Sequence, residues 1–315
     1  MARLTNRADW PAIDGKQLSE VFGITKVEII NDFVAMGYGL LTLDESGGEC
    51  VQLQKGIGQV EDGPIACIGA GTGLGECYLT PDFLGDYTCY ASEGGHAEFS
   101  PRNAEQVKLQ NFLKKKFNEA HRVSVERVCS GPGILSVYEY LAQAHPKEVD
   151  QEFTAQLAEA QDLKPALIAT NKSCSLCMRT MDIFFAHYGC EAGVAACKWI
   201  PSGGLYLTGG ITSKNLDSIT APQGHFMKSL RDKGRLSGLV ESIPIYAVIV
   251  EDLGERGAHW EAFRQYQHLQ ANPVPRDFAA GVLDELMWPS PVSLALMAGA
   301  AAFGFAVGRT VYKKL

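Results

Sequence analysis

Apolar and polar positions along the chain follow two different periods. Residues 65–68 and 205–208 are short apolar runs that open directly into glycine, and they predict strands. Residues 27–30 and 243–250 predict two more, and residues 77–79 predict a return strand after a glycine-rich turn. Residues 103–118 set apolar positions at helical spacing among charged ones, which predicts a helix. Residues 132–144 predict another, ended by His145-Pro146. Residues 153–199 read as long helices interrupted near residues 163–165, and residues 255–269 as an amphipathic helix. Strands alternating with helices predict a layered α/β fold, and no internal repeat is visible.

The pattern changes after residue 269. Pro273 and Pro275 mark residues 270–285 as a linker. Residues 286–308 carry no charge, and as a helix they would measure about 34 Å, against a hydrocarbon core of about 30 Å. Trp288 before the segment, and Tyr312, Lys313 and Lys314 after it, suit interface anchors. The expectation is a transmembrane tail anchor in an organelle outer membrane; the alternative is a soluble helix docked on a cytosolic protein.

Composition narrows the function. Hydrophobic residues make up 46% of 315, enough for a sizeable core. A net charge of −8 without a long basic run argues against nucleic-acid binding, because phosphate neutralisation needs clustered Lys and Arg. Nine scattered cysteines suggest no disulfide framework and fit a reducing compartment, with Cys67 and Cys129 as small buried hydrophobes. Cys174 and Cys177 form a CxxC pair without the two further ligands a zinc site needs. Met1 to Trp10 contains no apolar signal-peptide core, so a cytoplasmic catalytic domain is expected.

Three clusters could carry chemistry. Gly69-Ala-Gly-Thr-Gly-Leu-Gly75 lets backbone amides approach an anion closely, and Thr72 adds a hydroxyl donor. It is neither a P-loop, since Glu76 follows Gly75, nor a GxGxxG dinucleotide loop. A tight hairpin without ligand is the bland alternative. Asn31-Asp32 can hydrogen-bond vicinal hydroxyls, and Asp32 can take a proton from an attacking alcohol; the alternative is an Asx turn. Glu93-Gly-Gly-His96 brings a carboxylate and an imidazole together, which suits a polyol. Glu126 sets another carboxylate ahead of a strand-to-helix turn, in which Ser130 lacks a GxSxG setting and reads as structural.

In this order the motifs resemble the bacterial-type glucokinases of the hexokinase and actin-like ATPase superfamily. The resemblance runs from Leu4-Thr-Asn6 and Trp10 through residues 28–33, 69–75, 93–96, 126–133, 207–211, 233–235 and 257–259, and covers about residues 1–269. It implies an actin-like (ribonuclease H-like) two-domain α/β kinase fold. Residues 1–45 with 253–269 would form an incomplete small domain, and residues 46–252 a large one. It implies ATP-dependent phosphorylation of the glucose 6-hydroxyl, with Mg²⁺ neutralising the phosphates. By resemblance, Asn31, Asp32, Glu93, His96 and Glu126 hold glucose, and Asp32 is the general base. Gly69, Gly71, Thr72, Gly73 and Gly75 form a phosphate loop, and Thr208, Gly209 and Gly210 border the adenosine. Glucose and ATP are the expected ligands, and a homodimer is compatible with the family.

The family's opening phosphate loop, Gly-Asp-x-Gly-Gly-Thr-Asn, does not occur in these residues. Two expectations follow. Either the chain is truncated at its N-terminus and the loop is encoded upstream of Met1, or the chain binds glucose without turnover, as a sensor or scaffold.

Overall fold

The computed structural model describes residues 10–24, 26–44, 46–82 and 85–271. In chain order the first elements are α1 (Gly15–Phe22), α2 (Asp32–Leu40), β1 (Cys50–Gln54), β2 (Ile65–Ala70), β3 (Leu74–Pro81) and β4 (Tyr87–Ser92). A helical stretch follows, with α3 (Ala104–Phe117), α4 (Gly131–Ala144), α5 (Gln151–Glu159), α6 (Lys164–Thr170) and α7 (Ser175–Trp199). The remainder is β5 (Gly204–Thr208), α8 (Gly210–Lys214), α9 (Leu216–Thr220), α10 (His225–Arg231), α11 (Ser237–Ser242), β6 (Ile245–Val248) and α12 (Leu253–Ala271). The described residues divide into two compact units, those up to residue 43 with those from residue 252 onward, and those between 44 and 251.

The larger unit is a mixed α/β layer. Its six strands stand in the order β1-β6-β5-β2-β3-β4. The inner strands β6, β5 and β2 run parallel, while β1, β3 and β4 are antiparallel to their neighbours. All residues of β2, β5 and β6 are buried, as expected where a strand has cover on both faces. The long helix α7 lies against this sheet and α10, with Phe184, Tyr188, Ala192 and Ala195 wholly buried. Tyr188 keeps its hydroxyl satisfied by Thr212 Oγ1 at 2.9 Å. The Cys174-Cys177 pair has a structural explanation here: Cys174 Sγ caps α7 by accepting the Cys177 N–H at 3.4 Å.

In the smaller unit α2 packs along α12. A Cβ on Gly257 would collide with the Ala35 carbonyl, so glycine permits the two backbones to meet. Tyr38 stacks on Trp260 with ring centroids 5.0 Å apart. This packing fixes the start of α2, where Asn31 and Asp32 lie.

Several expectations change. Residues 27–30 form no strand among the described residues. The start of α1 lies against them, with Gly15 set against the Val27 carbonyl. A β-prone run becomes a strand only with a neighbour to pair with. Residues 153–199 break twice, between α5 and α6 and again before α7, where Asn171 Oδ1 accepts the N–H groups of Ser173 and Cys174. The last strand shortens to Ile245–Val248. Among the described residues no helix is long and apolar enough to cross a membrane. Leu4, Thr5, Asn6, most of the 270–285 linker and the 286–308 tail-anchor segment lie outside the described residues.

Candidate functional site

Two glycine turns lie side by side at one edge of the sheet. Strands β2 and β5 are parallel neighbours in register from Ile65↔Gly204 to Gly69↔Thr208. Both therefore end at the same edge, where open α/β sheets collect their ligands. The β2–β3 hairpin pairs as far as Ala70↔Leu74, which leaves Gly71, Thr72 and Gly73 as its turn. The structure therefore has the tight hairpin that the sequence offered as one alternative. The Gly71 N–H donates to the Gly73 carbonyl at 2.8 Å, so it is spent inside the turn, while Thr72 stays exposed.

The two glycines of this turn differ in the space around them. A Cβ on Gly73 would stand 2.6 Å from Glu126 Oε2, whereas a Cβ on Gly71 would enter open space. The start of α4 braces the turn: the Gly131 N–H donates to the Gly71 carbonyl at 2.8 Å. Ser130 caps α4 by accepting the Gly133 N–H at 3.0 Å, which fits its structural reading. On β5, the Thr208 side chain is 1% exposed and turned into the sheet, where Oγ1 donates to the Ile68 carbonyl at 3.4 Å. Any ligand at this edge therefore meets Gly209 and Gly210 rather than the Thr208 hydroxyl.

The Glu93–His96 turn is anchored to the same strand end. Gly94–His96 form one 3₁₀ turn after β4, closed by the His96 N–H on the Glu93 carbonyl at 2.9 Å. Glu93 Oε2 and His96 Nε2 are 3.8 Å apart, and both side chains are exposed. Gly95 lies directly over the Leu74 carbonyl, and Gly94 over the Glu76 carboxyl. The following segment ties Glu126 to this turn. Val125 N–H donates to the Ala97 carbonyl and Phe99 N–H to the Val123 carbonyl, each at 2.8 Å. Glu126 Oε2 then accepts the Leu74 N–H at 3.1 Å. The structure thus brings Glu93, His96 and Glu126 together around the start of β3, next to the 71–73 turn.

Asn31 and Asp32 belong to the smaller unit and are both exposed. Asn31 caps α2, its Oδ1 accepting the N–H groups of Phe33 at 2.9 Å and Val34 at 3.1 Å. That leaves its amide nitrogen as a donor. Asp32 opens the helix, with Oδ1 also accepting the Phe33 N–H at 2.9 Å.

Three buried polar groups escaped the sequence reading. Glu76 is fully buried, and neither carboxyl oxygen has a hydrogen-bond partner among the described residues. Burial, then the nearby Glu191 carboxylate, raise its pKa to about 7, with Lys198 opposing. His187 is buried with Nε2 unpartnered, and burial lowers its pKa to about 4. Glu191 is held up by burial against Lys198, which stands 4.0 Å away. His187, Glu191 and Lys198 line a cavity of about 120 Å³ with Ala97, Ser100 and Val125. None of the residues nominated for sugar lines it.

The shifts at His187 and Glu76 pull stability in opposite directions. His187 folds neutral, so its contribution is lost as pH falls below the unfolded value toward about 4. Glu76 folds protonated, so its contribution is lost as pH rises through about 7. Glu76→Gln should therefore raise the melting temperature at about pH 8 and change it little at about pH 5, measured by calorimetry. Equal shifts at both pH values would show that Glu76 does not titrate in the fold.

The glucokinase family model matches residues 1–265. A glucokinase of Synechocystis sp. is 38% identical over 268 residues, covering 81% of this chain and 73% of the relative. One of Nostoc punctiforme is 38% identical over 269 residues, covering 82% and 76%. A solved glucokinase from an Antarctic psychrotroph is 27% identical with a TM-score of 0.63, covering 79% of this chain and 72% of that one. The chain belongs to the glucokinase family. That makes it a kinase, a transferase acting on glucose.

Proposed function

We propose that the chain transfers the terminal phosphate of ATP to the 6-hydroxyl of glucose, with Asp32 as the general base. The observation that carries this reading is the placement of three polar side chains and two glycine turns around β2, β3 and β5. Glu93, His96 and Glu126 offer two carboxylates and an imidazole to sugar hydroxyls. Asn31 offers an amide donor and Asp32 a proton acceptor. The 71–73 turn, flanked by Gly69 and Gly75, receives phosphate oxygens at the exposed Thr72, with Gly71 and Gly73 shaping the turn, while Gly209 and Gly210 border the nucleotide.

Phosphoryl transfer asks mainly for positioning and charge stabilisation. Mg²⁺ arrives with ATP, held by phosphate oxygens and water together with few protein carboxylates, and supplies charge neutralisation when bound. The chain's own work is to orient the hydroxyl, accept its proton at an Asp32 carboxyl oxygen and hold the phosphates at the glycine edge.

An assay coupling glucose 6-phosphate formation to a dehydrogenase tests the proposal. Product formation that needs both ATP and glucose is expected. Glucose binding by calorimetry without any turnover would overturn it in favour of a sensor or scaffold.

The glycine turn adds a prediction of its own. Gly71→Ala should change the melting temperature little, because its Cβ meets nothing, yet raise the KM for ATP by filling the space next to the turn. Gly73→Ala should also cost the fold little, because the Glu126 carboxyl it meets is the end of a side chain that can move aside, but by displacing Glu126 it should raise the KM for glucose as well. Matching effects of the two substitutions on both substrates would contradict this division of the turn.

A further inference from the structure

We propose that Glu76 is the positioning residue for the glucose-holding turn: its buried carboxyl is the floor on which Gly94 rests, and it sets where Glu93 and His96 stand. The inference rests on the reading that Glu93 and His96 hold glucose.

Glu76 sits where both turns meet. It follows Gly75 of the phosphate hairpin and pairs with Ile68 on one side and Ser92 on the other. Ser92 Oγ accepts the Gly94 N–H at 3.1 Å, so the turn is held at its backbone next to the strand that carries Glu76. Directly above the carboxyl, a Cβ on Gly94 would overlap Oε2 and approach Cδ to 2.5 Å. Only glycine lets the turn lie this low.

Stability alone does not account for a carboxyl in this place. A fully buried acid without a hydrogen-bond partner costs more than an apolar side chain of the same shape. The groups facing it are few. Glu191 and Lys198 reach it from α7, and the buried Cys129 thiol lies near it ahead of α4. Glu191 opposes a second negative charge, and Lys198 offsets it only in part. In its neutral form the carboxyl is compatible with Gly94 packed upon it. Once ionised it needs water, and the Gly94 turn is what separates it from solvent on that side. The ionised form therefore favours a lifted turn, with Glu93 and His96 displaced from glucose. Burial places this change at a pKa of about 7, so only the neutral fraction binds glucose at full strength.

Initial rates against glucose concentration at about pH 6.5 and about pH 8.5 test the proposal on the wild type, Glu76→Gln, Glu76→Ala and Glu93→Gln. In the wild type the KM for glucose should rise about 25-fold between the two pH values, since the neutral, competent fraction falls by that factor for a pKa of about 7, with a smaller change in kcat. Glu76→Gln keeps the shape of the neutral acid and should hold the KM flat. Glu76→Ala removes the floor and should raise the KM at both pH values, which Gln restores. Glu93→Gln should raise the KM throughout. A wild-type pH rise that persists unchanged in Glu76→Gln, while Glu93→Gln raises the KM, overturns the role of Glu76 alone. An unchanged KM in Glu93→Gln overturns the sugar assignment itself, and this inference with it.

Discussion

Asp32→Asn should lower kcat about 10²–10⁴-fold, the usual contribution of a positioned general base, while glucose binding changes far less. The substitution is nearly isosteric. An amide oxygen at this position can still accept the Phe33 N–H that Asp32 Oδ1 now accepts at 2.9 Å. The helix start should survive, because Asn31 supplies the cap. What disappears is the proton acceptor. A sugar hydroxyl attacking phosphorus must lose its proton, and an amide cannot take it. The coupled assay reads kcat and calorimetry reads the glucose Kd. Equal turnover in the two proteins would remove Asp32 as the base. A loss of binding as large as the loss of rate would instead make it a sugar ligand only.

The second large effect is expected at Gly209. Its backbone has φ 88° and ψ 156°, a region closed to side chains, and a Cβ would stand 2.6 Å from the Ala70 carbonyl oxygen. Strained backbone of this kind costs about 1–3 kcal/mol before any clash is counted. The clash has no easy relief, because Ala70 is held in the β2–β3 ladder opposite Leu74. Gly209→Val should therefore lower the melting temperature by several degrees, at about 2–4 °C per kcal/mol for a unit of this size. By parting the ends of β2 and β5 it should also raise the KM for ATP about tenfold or more, each factor of ten needing only about 1.4 kcal/mol. Gly210→Ala is the matched control, since its Cβ meets only Lys214 Nζ at 3.8 Å. Scanning calorimetry and ATP titrations separate the two substitutions. Equal behaviour would show that the β2–β5 edge does not set the nucleotide site.

How legible each part was depends on what its pattern could encode. Strands β2 and β5 are continuous apolar runs stopped by glycine, and buried parallel strands leave that signature. Helices α3 and α4 carried full apolar periods and capping residues. By contrast α8, α9 and α11 are too short to show a period, and only tertiary packing makes them helical. Residues 27–30 carried a strand signal without the information that decides a strand, which is the partner. At Asn31 the sequence offered a ligand or an Asx turn and did not show the helix cap, which uses the side-chain oxygen and leaves the nitrogen. Glu76 was visible only as the residue that disqualifies a P-loop. Its register with Ser92 and the collision a Cβ on Gly94 would make are properties of the folded chain, and no local pattern encodes them.

Phosphorus NMR of the products formed from glucose and ATP reads the transfer itself. One new phosphomonoester is expected, on the 6-oxygen of glucose, formed in equal amount to ADP and absent when glucose is left out. Inorganic phosphate as the only new phosphorus species, or a phosphate on another sugar oxygen, would contradict it.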